Sequence, residues 1–230
     1  MKPPVRVCGI CGRGVRPPFR PPQPEIAPDL DMRPGEPTRS TLPDWIQTCR
    51  GCAAAAEDLT KLPETIRTIV ESPAYRRLST EVPEETLPFR RYAMILEHQG
   101  KPDEQAEALL QAAWAADDAS AMTEAAALRT RVAALWGESA SGERGLRRLD
   151  VLRRAGHFEQ AAAWADTMET RVAEDLGRQI VAFQKARIEV RDVGRHLISA
   201  VLPPPAHRPH VTHTKRATGG FWSRLLGRGS

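Results

Sequence analysis

All four cysteines of the chain fall in two Cys-x-x-Cys pairs, Cys8 and Cys11 in "VCGICGRG" and Cys49 and Cys52 in "QTCRGCAA", with 37 residues between them. No other feature restricts the fold as much, because four thiolates gripping one ion would fix two tight turns against each other whatever the intervening chain does. A redox pair of the thioredoxin kind is a single Cys-x-x-Cys opening a helix in a βαβ context, not a doubled pair. The start "MKPPVRVCGI" has a basic residue but no apolar leader, and no run approaches the roughly 18 apolar residues of a membrane span. The expectation is a cytoplasmic protein without a transmembrane segment, whose thiols stay reduced rather than forming disulfides. Zinc, tetrahedral and redox-inert, suits this ligand set, as one structural zinc per chain on Cys8, Cys11, Cys49 and Cys52. An iron–sulfur cluster and labile redox thiols are the alternatives. Gly9, Gly12 and Gly51 are expected to let the turns take positive φ and aim N–H groups at the sulfurs.

Nine of the chain's 20 prolines lie between the pairs, most of them in "RPPFRPPQPEIAPDLDMRPGEP". Proline lacks a donor and fixes φ, so this stretch can form neither a regular ladder nor a helix. It reads as an extended, partly mobile excursion from the ribbon, either a loop that tolerates proline or a polyproline ligand for a grooved partner. Short strands at Val5–Val7 and Trp45–Thr48 are expected to lead into the two cysteine turns.

Past Cys52 the chain becomes helical in pattern, with no proline between Ala106 and Leu202. Helices are expected over Pro63–Glu71, from Pro73 with Ser72 as N-cap, and from between Pro83 and Pro88 to His98, stopped by Gly100. Ala106, Leu109, Leu110, Ala113 and Trp114 form one apolar face, and Met122, Ala125, Leu128, Val132 and Leu135 form the next. "ERGLRRLDVLRRAGHFEQAAAWADTMETRV" reads as two helices hinged at Gly156, followed by a last helix from Leu176 to about Val201. Trp114 and Trp164 are expected in the core.

Leu149, Leu152, Gly156, Phe158 and Ala161 sit at the offsets of a tetratricopeptide helix–turn–helix, with a weaker version in "AMILEHQGKPDEQAEALLQAA". A generic helical bundle with small residues at its contacts fits the same periodicity. The succession "CGICG", "WIQTCRGC", "LLQAAWAADD", "RRLDVLRRAGHFEQA" and "VAFQKARIEVRD" resembles a bacterial family in which a Cys-x-x-Cys ribbon precedes tetratricopeptide-like helices. The likeness runs from Val7 to about Leu197 and implies zinc on the four cysteines and a helical-repeat body, without implying a reaction. The chain departs from that pattern with Arg50 and Gly51 inside the second pair and Ala53 where such ribbons carry glycine, so a less regular second turn is expected. The expected organisation is a zinc ribbon with its excursion over 1–58, a mostly α, tetratricopeptide-like antiparallel body over 59–202, and a basic, flexible, disordered tail over 203–230.

The formal net charge of +4 hides an uneven distribution. Residues 1–24 hold Lys2, Arg6, Arg13, Arg16 and Arg20 and no acid, and residues 203–230 hold Arg208, Lys215, Arg216, Arg224 and Arg228 and no acid, leaving net −6 between them. Basic ends invite contact with nucleic acid. Arginines beside a four-thiolate site also offset its net negative charge, and Phe19 stands alone as an aromatic in the excursion. HExxH, phosphate-loop and nucleophile-elbow motifs are missing from the sequence, and a four-thiolate site is closed to substrate, so no enzyme is expected. The sequence therefore points to a zinc-binding, non-enzymatic adaptor or scaffold that binds a protein partner. The alternative is a zinc-ribbon nucleic-acid-binding protein with basic termini on phosphate. In the tail, Phe221, Trp222, Leu225 and Leu226 recur at helical spacing beside Arg224 and Arg228, a pattern suited to folding on a protein partner or making peripheral contact with an anionic membrane.

Overall fold

A computed structural model describes residues 6–202. Its elements are two short strands, β1 (Gln47–Thr48) and β2 (Ala55–Ala56), and eight α-helices among the described residues. The helices are α1 (Arg67–Val70), α2 (Pro73–Glu81), α3 (Leu87–His98), α4 (Pro102–Asp118), α5 (Met122–Trp136), α6 (Gly142–Arg154), α7 (Phe158–Arg171) and α8 (Asp175–Glu189). Local signals set most boundaries. Ser72 Oγ accepts the Tyr75 N–H at 3.2 Å and Pro73 occupies the first turn of α2, where a missing donor costs nothing. The N–H groups of Lys101, Ala121 and His157 reach back to the Leu96, Ala116 and Leu152 carbonyls at 3.0, 2.8 and 3.0 Å, so α3, α4 and α6 end in the same six-residue closure.

The helices pack in chain order, α3 on α4, α4 on α5 and α5 on α6, after which α6, α7 and α8 each touch the other two. Helix α4 is buried on most sides, with Ala106, Ala108, Ala112, Ala113 and Ala116 at 2% exposure or less. Small side chains there allow close approach of neighbouring backbones, and Leu109, Leu110 and Trp114 fill the remaining space. Trp164 is buried too, its Nε1 donating to the Gly145 carbonyl at 2.8 Å. Met122, by contrast, opens α5 and is exposed, so the apolar face of that helix begins at Ala125.

The proline-rich segment departs most from expectation. It is not an excursion standing off the ribbon but a strap laid on the helices. A turn at Asp29–Arg33, closed by the Met32 N–H on the Asp29 carbonyl at 2.9 Å, buries Leu30, Asp31 and Arg33. Leu30 packs with Ile180 of α8 and with Ile198, while the Ile198 N–H donates to the Pro28 carbonyl at 2.9 Å. A 3-10 helix over Arg39–Asp44 then places Leu42, followed by Ile46, in the main core with Phe89, Leu109 and Leu128. Trp45 meets Trp114 edge to face at 6.4 Å. Prolines fit here because the strap is held by side chains and isolated carbonyl contacts rather than by a continuous ladder.

The last helix also ends earlier than its apolar periodicity suggests. Arg191 adopts φ 51° and the Asp192 N–H closes on the Arg187 carbonyl at 2.9 Å, terminating α8 at Glu189 and leaving Val190 and Val193 exposed. The cause is the buried Arg153 guanidinium, which binds the carbonyls of Asp192 and Gly194 and so recruits the chain into an irregular path. Residues 203–230, and with them the expected tail contacts Phe221, Trp222, Arg224, Leu225, Leu226 and Arg228, lie outside the described residues.

Candidate metal centre

The two cysteine turns are built alike. Each first cysteine accepts at its carbonyl from the residue four on, Gly12 N–H to Cys8 at 2.9 Å and Ala53 N–H to Cys49 at 2.8 Å. Each also donates to the residue five on, Cys8 N–H to Arg13 and Cys49 N–H to Ala54, both at 2.8 Å. Short antiparallel pairings flank them, Val7 with Gly14 around the first turn and β1 with β2 around the second, Thr48 facing Ala55. The first expected strand is thus an isolated bridge at Val7, and the second starts at Gln47, because Trp45 and its Nε1 contact to Thr41 belong to the preceding 3-10 turn.

Both turns need a residue in the left-handed region just past the second cysteine. Gly12 supplies φ 71° without strain, and Ala53 adopts φ 61° in the equivalent place. The second turn is therefore as regular as the first, contrary to expectation, and it carries the strain of a Cβ. The buried Tyr75 hydroxyl donates to the Ala53 carbonyl at 3.0 Å and fixes the peptide. Gly9 serves differently: a Cβ there would lie 2.0 Å from the Leu62 carbonyl oxygen, so its role is close approach.

The four sulfurs converge, all lying within 4.8 Å of one another. Cys8 Sγ is 3.8 Å from Cys52 Sγ, and Cys11 Sγ is 3.5 Å from Cys49 Sγ. A disulfide would need about 2.05 Å. A regular tetrahedron with metal–sulfur bonds of about 2.3 Å has sulfur–sulfur edges of about 3.8 Å, so the spacing fits a single four-thiolate ion. Cys8 and Cys49 are buried, Cys52 is half-buried and Cys11 is exposed. Ile10, Leu59, Leu62, Ile66, Tyr75 and Ile95 make the apolar floor, tying the turns to α2 and α3.

Burial pushes the Cys8 and Cys52 thiols up. It acts on Cys49 as well, but the N–H groups of Cys52 and Gly51 bring that thiol down to about 7. A divalent ion reverses the burial cost by placing positive charge among the sulfurs, and the N–H groups already aimed at them suit the thiolate form. The donor set therefore fits a structural metal. Arg13 borders the site, since its side-chain stem and Cys11 Sγ both crowd the space beside Gly51.

A second polar cluster escaped sequence reasoning. Asp31 of the strap is fully buried and accepts from Trp114 Nε1 at 2.9 Å, Arg154 at 3.0 Å and the Arg33 N–H at 3.2 Å, with Arg129 at 3.8 Å. Asp117, near the end of α4, joins the same arginines, 2.5 Å from Arg129 and 2.7 Å from Arg154. Burial would raise the Asp31 carboxyl, but Arg154 and Arg129 hold it below the usual range. One signal was available: Arg129 falls between Ala125 and Val132 on the apolar face of α5.

Cys11 and Cys49 bracket the strap, so the cysteine cluster joins both of its ends while Asp31 anchors its middle. No helix among the described residues is long and apolar enough to cross a membrane. Comparison with protein-family models, curated proteins and solved structures gave no match to this chain.

Proposed function

We propose that the chain is a zinc-clasped helical scaffold, a non-enzymatic adaptor that binds a protein partner in a reducing, cytoplasmic setting. The convergence of Cys8, Cys11, Cys49 and Cys52 at tetrahedral spacing carries this reading, because those sulfurs close a loop whose middle is buried on the helices. One zinc per chain would fill the four-thiolate shell and leave no position for substrate, giving the ion a fastening role. The helical body is read as tetratricopeptide-like, supported by the mutual packing of α6, α7 and α8 around the Gly156 turn.

The face formed by α4, α5, α6 and α8 holds the chain's own strap, an irregular segment gripped through a buried carboxylate in its turn. That face is covered in cis, so partner binding falls to the remaining helical surface. Net charge −6 over residues 25–202 favours a basic partner segment. Pull-down with zinc-loaded protein at moderate salt, followed by identification of retained proteins, tests the adaptor role. A discrete partner that survives salt supports it, and retention of nothing in repeated lysates contradicts it.

A further inference from the structure

We propose that the ribbon edge carrying Arg16, Phe19 and Arg20 binds single-stranded nucleic acid, the two arginines meeting phosphates and Phe19 stacking on a base. In sequence Phe19 stands alone, but the fold gives it basic neighbours: all three side chains line one open concavity of about 500 Å³, together with Pro17, Asp44 and Gln47. Arg16 and Arg20 are exposed, and Phe19 keeps 36% of its surface accessible, so its ring is free to meet a ligand. An exposed aromatic ring between cations is the element that sequence-tolerant single-strand binders use, since every base has a face to stack. No α-helix contributes to this lining; its one helical residue is Asp44, an acid at the end of the short 3-10 turn Arg39–Asp44 and unsuited to entering a duplex groove, which favours a single strand over a double one.

Charge on this edge is uncommitted. Within the ribbon and strap, Arg6 meets Asp58 at 3.2 Å, Arg33 meets Asp118 at 2.5 Å and Arg39 meets Asp29 at 2.5 Å. The other four arginines of residues 6–58, Arg13, Arg16, Arg20 and Arg50, have no carboxylate within 4.0 Å, as is also true of several arginines on the helical body. Arg13, beside Cys11 and Gly51, is accounted for by the charge of a four-thiolate metal site, and Arg50 lies within the second cysteine pair. Arg16 and Arg20 are not, and residues 1–24 contain no acid to offset them. Asp44 is the one acid in the concavity lining, and it opposes a polyanion.

The edge is also stiff. Buried Gln47 of β1 donates through Nε2 to the Pro17 carbonyl at 3.2 Å and to the Glu57 carbonyl at 3.1 Å, pinning the segment to the ribbon. The Val15 N–H closes on the Arg6 carbonyl at 3.0 Å, and Pro17, Pro18, Pro21 and Pro22 restrict φ on both sides of Phe19. Side chains presented from a backbone already ordered lose less entropy on binding than those on a free loop.

Fluorescence anisotropy of labelled oligo-U and oligo-dT with the zinc-loaded full chain, titrated over salt, tests the proposal, and the two oligomers separate RNA from DNA. Arg16→Gln/Arg20→Gln is expected to weaken binding at least tenfold near 0.1 M salt and to flatten the slope of log affinity against log salt by about 1.4, or about 0.7 for each phosphate no longer neutralised. Phe19→Ala should weaken binding about tenfold while leaving that slope unchanged, and Asp44→Asn should tighten it. All three variants alter exposed side chains, so unchanged zinc content and circular dichroism serve as folding controls. Absence of oligonucleotide binding by the parent chain at low salt overturns the proposal. Binding that the variants leave intact does so too, because it would assign the interaction to other basic residues such as those of 203–230. Variant-sensitive binding to phosphatidylglycerol vesicles but not to oligonucleotides would make the edge a lipid surface and also overturn it.

Discussion

Replacing Asp31 by alanine removes the carboxylate on which the strap turns and leaves Arg129 and Arg154 facing each other without it in a site where they are 2% and 7% exposed. The Trp114 Nε1 and Arg33 N–H also lose their acceptor. Breaking one side of a buried ion pair costs about 3–5 kcal/mol, most of it from the charge left behind. Asp117 still neutralises part of that charge, which places the expectation at the lower end, about 3 kcal/mol. A domain of this size has about 5–15 kcal/mol in hand, so the variant should fold but be much weakened. With a urea slope of about 2–3 kcal/mol per molar, the unfolding midpoint should fall by about 1–1.5 M. Arg154→Ala in the Asp31→Ala background should cost less than in the parent, giving a coupling of more than about 1 kcal/mol. The carboxyl's folded pKa is depressed below its ordinary 3.8, so its contribution is complete above that value and fades as pH falls through the lower folded one. Parent and variant should therefore converge in stability toward strongly acid pH and differ by the full, constant amount above about pH 4. A midpoint shift under about 0.2 M, or no coupling to Arg154, would refute the assignment of Asp31 as the strap's anchor.

Ala53→Gly should stabilise the second cysteine turn by about 0.5–1 kcal/mol, seen as a higher thermal midpoint of the zinc-loaded protein, because it removes a Cβ from a left-handed residue. Gly9→Ala should do the reverse, forcing the first turn off the Leu62 carbonyl and lowering zinc affinity in a competition assay with a chromogenic chelator. Removing zinc with a strong chelator should raise hydrogen exchange over residues 13–46 while leaving α4 protected, since the strap loses the joint between its ends but α4 keeps its own packing. Deleting residues 221–230 should leave zinc content and helicity unchanged while removing one interaction, either a pull-down partner or liposome binding.

The helices were legible because their signals are local. Ser72, Pro73, Gly100 and Gly156 mark ends in the sequence, and the buried faces of α4 and α5 follow a 3.6-residue repeat with Leu109, Trp114, Leu128 and Val132. The cysteine cluster was legible because the two Cys-x-x-Cys pairs imply that their four sulfurs meet. The strap was not, since proline content reports what a segment cannot form but says nothing of what it can lie against. Its anchoring contacts reach far along the chain, 81 residues between Arg33 and Trp114, 123 between Asp31 and Arg154 and 170 between Pro28 and Ile198, and leave no local trace. The early end of α8 was hidden for the same reason: Arg153, distant in the chain, captures the carbonyls of Asp192 and Gly194 in place of helical partners. Arginines on buried helix faces were the readable warning that acids from elsewhere had to arrive.

Zinc-edge X-ray absorption on protein purified without chelator, combined with metal quantification, addresses the clasp most directly. The expected result is one zinc per chain with four sulfur neighbours at about 2.3 Å, with Cys11→Ser and Cys49→Ser each lowering occupancy. Zinc-free protein, an iron–sulfur spectrum, or a shell containing nitrogen or oxygen in place of sulfur would contradict it.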